Sequence, residues 1–70
     1  MSKHFQLKIY IYKIQFLKIY ANLPLNQRSE IIVVIDGEEL TWNSAKIEVV
    51  NETDKGREIL DKLVILGILK

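Results

Sequence analysis

The chain has no cysteine, one proline, one histidine and three glycines in 70 residues, and no acid before position 30. Each scarcity removes a class of explanation. Without cysteine there is neither a disulfide framework nor a thiolate zinc site, a composition expected of a cytoplasmic protein. The lone histidine, His4, is expected at a fraying terminus, a poor place for the usual general base. Covalent catalysis would fall to Ser2, Ser29 or Ser44, none with a histidine near in sequence. Gly37, Gly56 and Gly67 are isolated, so no glycine-rich phosphate loop exists. Long apolar runs are missing too. The longest clean one is Ile31 to Ile35, far short of the roughly 18 residues of a membrane span. Lys8 and Lys13 break the run a signal peptide would need. The expectation is a non-enzymatic, soluble protein with no cofactor.

Aliphatic residues, by contrast, are abundant. The hydrophobic fraction is 49%, with eleven Ile and nine Leu. A chain this short hides only about 60% of its unfolded surface on folding. One small domain, residues 1–70, therefore has more apolar side chains than interior, and the surplus points to self-association, with a dimer favoured.

Charge is divided along the chain. Residues 1–29 hold Lys3, Lys8, Lys13, Lys18 and Arg28 and no acid; residues 30–70 hold nine acids and five bases. The two blocks can attract each other within or between chains, or the first can meet an anionic partner. Lys8, Lys13, Lys18 and Arg28 are thus candidate nucleic-acid contacts. The three lysines recur every five residues, however, about 140° apart on a helix, and make no stripe for a phosphate backbone. That spread counts equally against a basic amphipathic helix lying on a membrane. Reading 42–50 and 54–66 as a helix-turn-helix gives a second helix whose three bases and three acids cancel, unlike a recognition helix.

The local signals describe an α+β domain. Asp36-Gly37 between β-branched runs marks a two-residue hairpin at about 31–42. That loop pairs Ile35 with Glu38, Val33 with Leu40 and Ile31 with Trp42, placing Ile31, Val33, Ile35, Leu40 and Trp42 on one inward face. Trp42 reads as core rather than as a ligand anchor. Asp36, Glu38 and Glu39 at the tip lack any cation-ligand spacing and read as solvated charge. Residues 43–50 fit a short helix capped by Thr41 or Asn43, or a third strand. Residues 54–66 fit a helix with Thr53 as its cap and Gly67 as its left-handed terminator, Ile68 folding back on the last turn. Gly56 in its first turn allows close packing. Pro24 ends the first element near Asn22, with Leu23 and Leu25 pinning the connection to the core.

The first element is a basic apolar segment over residues 1–20. As one strand from Phe5 to Tyr20 it would be about 50 Å long, too long for the domain. As a helix it gathers Phe5, Ile9, Tyr12, Phe16, Ile19 and Tyr20 into one seam, with Leu7, Ile11 and Ile14 as a narrower second strip. A strand over Phe5–Tyr12 followed by a shorter helix is the alternative. A helix apolar on two sides is expected to have one against its own hairpin and the other against a partner; the alternative is a single broad core face with a few exposed aliphatics. The expected interface is Phe5, Ile9, Tyr12, Phe16 and Ile19, with Val64, Ile65 and Ile68 from the last helix.

Overall fold

The structure is a computed structural model that describes residues 5–70. Ser2, Lys3 and His4 lie outside the described residues. Helix α1 runs over Leu7–Asn22 and is followed by a 3-10 turn at Leu25–Ser29. Strands β1 (Ile31–Ile35) and β2 (Glu38–Thr41) form an antiparallel hairpin. Helices α2 (Trp42–Val50) and α3 (Asp54–Ile65) complete the chain. The domain is α+β, as its sequence patterns imply, and both ambiguous segments, 5–12 and 43–50, resolve almost wholly to helix.

The hairpin turns where the Asp-Gly pair requires. Asp36 and Gly37 take φ values of 51° and 80°, the positive pair of a primed two-residue turn. Val33 pairs with Leu40 and Ile35 with Glu38 as expected, but Ile31 faces Thr41, not Trp42. A bulge between Ile31 and Val33 absorbs the extra residue. Ile32 consequently packs on the core beside Val33, and Ile31 is left exposed. Trp42 begins α2 one residue on, although its N–H still donates to the Glu30 carbonyl at 3.3 Å.

Two threonines set the helices that follow. The Thr41 Oγ1 accepts from the Ser44 N–H at 3.1 Å, and the Ser44 hydroxyl accepts from the Thr41 N–H at 2.8 Å, closing a capping box. Thr53 Oγ1 accepts from the Gly56 N–H at 2.9 Å and donates to the Glu48 carboxylate at 2.7 Å. The α2–α3 connection is thereby tied at both ends. At the far end of α3 the Gly67 and Ile68 N–H groups donate to Val64 and Leu63 carbonyls, the paired bonds of a Schellman stop with Gly67 at φ 81°. The reversal buries Leu69 rather than folding Ile68 inward; Ile68 stays exposed.

No such local device starts α1. Gln6 makes no side-chain cap, and the first turn has no acid. Its other end is held from a distance, where Arg28 Nε donates to the Tyr20 carbonyl at 3.2 Å. Packing supplies the rest. Phe5, Ile9 and Phe16 are buried among Val33, Ile35, Leu40, Ala45, Val49, Ile59, Leu60, Leu63 and Leu69. The Phe16 and Trp42 rings sit 5.4 Å apart at 39°, a tilted aromatic contact. Leu25, expected to pin the connection, is 77% exposed, because the 3-10 turn carries it outward, and Leu23 is half-buried.

Gly56 marks the closest approach of α3 to α2. A Cβ there would lie 2.5 Å from the Glu48 carbonyl oxygen and 3.2 Å from the Val49 Cα. Both are backbone atoms, so relief requires moving a whole helix. Gly56→Ala is therefore expected to lose about 1–3 kcal/mol by urea denaturation, despite alanine's better helix propensity.

Candidate interaction surface

Helix α1 has 16 residues and is about 24 Å long. The domain's extents are 32 × 27 × 22 Å, so this helix spans most of the body. Its core-facing side is the predicted seam. Phe5, Ile9 and Phe16 are buried within the chain, while Tyr12, Ile19 and Tyr20 are half-buried against that core. The residues expected to meet a partner thus meet their own hairpin and helices instead. The reason is aromatic volume: two Phe rings are the largest fully buried side chains of a small interior.

The opposite side of α1 is uncovered. Leu7 is 67% and Ile11 49% exposed, with Tyr10 and Ile14 also at the surface. At about 100° per residue, Leu7, Ile11, Ile14 and Lys18 lie within roughly 60° of one another, facing away from Phe16. Their 4-3-4 spacing is that of a coiled-coil seam. Lys18 forms no ion pair among the described residues.

The tail after α3 is tied to α1. Gln15 and Lys70 hydrogen-bond in both directions, the Lys70 N–H donating to Gln15 Oε1 at 3.0 Å and Gln15 Nε2 donating to the Lys70 carbonyl at 3.4 Å. The tail that carries Ile68 is thereby tied to α1 at Gln15. Ile65 (79% exposed) and Leu66 are exposed as well, and Val64 is half-buried. Of the residues expected at an interface, Ile65 and Ile68 are accessible.

Two shallow clefts flank the exposed ridge of α3. The larger, about 500 Å³, lies between α1 and α3 and is lined by Lys8, Tyr12, Arg57, Asp61 and Ile65 among others. The smaller, about 260 Å³, lies towards β1. Neither lining contains Ser, Thr, His or Cys. Among the described residues no group of three His, Cys, Asp or Glu side chains is placed to hold a metal ion. Asp36, Glu38 and Glu39 at the hairpin tip do not converge on a site; Glu38 instead accepts from Lys55 Nζ at 2.6 Å.

The basic block is dispersed. Lys13 pairs with Glu52 at 2.8 Å, joining the two charge blocks within one chain. Arg28 donates to the Tyr20 and Ala21 carbonyls and stacks over the Tyr20 ring at 4.3 Å, where Lys46 also lies at 4.7 Å. Tyr20 in turn donates to the Asn43 side-chain oxygen at 2.6 Å. Tyr20 therefore joins α1, the 3-10 turn and α2, a junction no local sequence signal reveals. Lys8 borders the larger cleft. The four cations are not brought together.

No protein-family model matches the chain, and no curated protein or solved structure matches it either. No helix of the described residues is long and apolar enough to cross a membrane.

The Lys55–Glu38 contact has a measurable signature. The hydrogen bond to Glu38, and then the carboxylate's charge, raise the Lys55 ammonium above its ordinary 10.5. The stabilisation from such a raised group is full below the unfolded value and is lost as pH climbs through the folded one. In an NMR titration Lys55 is expected to deprotonate above 10.5, and Glu38→Gln to lower its midpoint.

Proposed function

We propose that this chain is a non-enzymatic protein-interaction module that works by self-association, as a dimer. The observation that carries this reading is the uncovered strip Leu7, Ile11 and Ile14, on a helix whose other side is already used by the core. Leaving such a strip in water forgoes about 25 cal/mol for each Å² that a partner could cover. Ile65 and Ile68 near the C-terminal end are further exposed aliphatic side chains. A second copy is the partner that requires nothing outside the protein.

Nucleic-acid binding through Lys8, Lys13, Lys18 and Arg28 is the weaker reading. Lys13 is engaged by Glu52 and Arg28 by backbone carbonyls, which leaves two cations about 15 Å apart along α1.

Light scattering at micromolar concentration is expected to give twice the chain mass, and a monomer would refute the proposal. Ile14→Lys is expected to yield a folded monomer whose midpoint of thermal unfolding stays within a few degrees. Phe16→Ala, by contrast, should lose about 3–5 kcal/mol of stability, because Phe16 serves the core and not the partner.

A further inference from the structure

We infer that the cleft between α1 and α3 is a binding site for a monocarboxylate with an apolar body. This goes beyond the self-association proposed above and needs only one chain. Helix α1 contributes Lys8 and Tyr12, one turn apart, together with Ile9. Helix α3 contributes Arg57 and Asp61, again one turn apart, followed by Val64 and Ile65. At about 500 Å³ the cleft is within the range that small-molecule sites occupy. Along α3, Arg57 and Ile65 lie about 12 Å apart. That wall therefore passes from a cation to an exposed aliphatic surface.

The donors of this cleft are uncommitted. Among the described residues, the Gln6, Lys8 and Tyr12 side chains make no hydrogen bond or ion pair. No buried polar side-chain atom of the described residues lacks a partner, so the hydroxyl of half-buried Tyr12 is open to water rather than sealed in the core. Arg57 Nε approaches Asp61 only to 3.7 Å, beyond hydrogen-bond range, and both side chains are half exposed. Such an exposed pair holds its members weakly, which leaves the guanidinium fork free to take a carboxylate through two parallel bonds. The charge of the lining sets the valence of the ligand. Lys8 and Arg57 are cationic and Asp61 is anionic, so two positive charges less one negative leave a net +1. One carboxylate neutralises that charge, whereas a dianion such as phosphate meets Asp61 with charge to spare. The apolar body follows from Ile9, Val64 and Ile65. Ile65 is the most exposed of the large hydrophobics, at 79%, and covering it adds an attraction that a purely polar anion forgoes.

Octanoate, octanol and inorganic phosphate, each titrated into the full chain and followed by NMR, test the assignment. Octanoate is expected to shift the Tyr12 ring, Arg57 side-chain and Ile65 methyl signals along one saturable curve. Octanol should bind about tenfold more weakly for want of the charged head, and phosphate should give no saturable shift. Arg57→Gln is expected to weaken octanoate about tenfold by removing the charge-assisted pair. Lys8→Gln, on the facing wall, should act in the same direction. Asp61→Asn should instead tighten octanoate severalfold, because it removes the competing carboxylate. All three positions are at the surface, and the midpoint of thermal unfolding should stay within a few degrees. Equal binding of octanoate and octanol, saturable phosphate binding, shifts confined to Leu7, Ile11 and Ile14, or an Asp61→Asn chain that binds no tighter would each overturn the assignment. The comparison of the three probes on the unmodified chain decides the case even where a variant fails to fold. Because one chain forms the cleft, the result stands whether light scattering gives a monomer or a dimer.

Discussion

Burial of one side of α1 is the contact on which every other element depends. The hairpin has two strands and could not stand alone; α2 and α3 form a helical pair with one covered side. Phe5, Ile9 and Phe16 close the interior over all of them, reaching Val33, Leu40, Ala45, Val49 and Leu63 in one cluster. Helix α1 has no side-chain cap of its own at its start, so the dependence runs both ways. The core orders the helix, and the helix completes the core.

That arrangement has a cost set by size. A helix about 24 Å long laid across so small a body can have only one side covered. The chain uses its aromatic side inward and leaves aliphatic residues outward. Charge follows the same economy: Lys13 meets Glu52 within the chain, while Arg28 serves α1 carbonyls and the Tyr20 ring. What remains exposed along α1 is the aliphatic strip Leu7, Ile11 and Ile14, with Lys8 and Lys18 and no acid.

The features legible in the sequence are those whose cause lies within a few residues. Asp36-Gly37 specifies its turn through positive φ, Thr41 and Thr53 cap through hydroxyls three residues from their targets, and Gly67 ends α3 through its left-handed backbone. Each works wherever the segment is placed. The misjudged positions depend on neighbours far along the chain. Ile31 loses its place on the inner face through the bulge, beside Trp42, where α2 begins. Leu69, not Ile68, turns inward where the tail is tied to α1 at Gln15.

The candidate surface divides in the same way. Periodicity alone determined that α1 carries two apolar strips, one aromatic-rich and one aliphatic, since a 3.6-residue repeat fixes which side chains share a side. It could not determine which strip turns inward, because that choice compares the volume each strip would fill against elements 20 to 60 residues away. Tertiary packing decided it for Phe5, Ile9 and Phe16 and so made Leu7, Ile11 and Ile14 the open side.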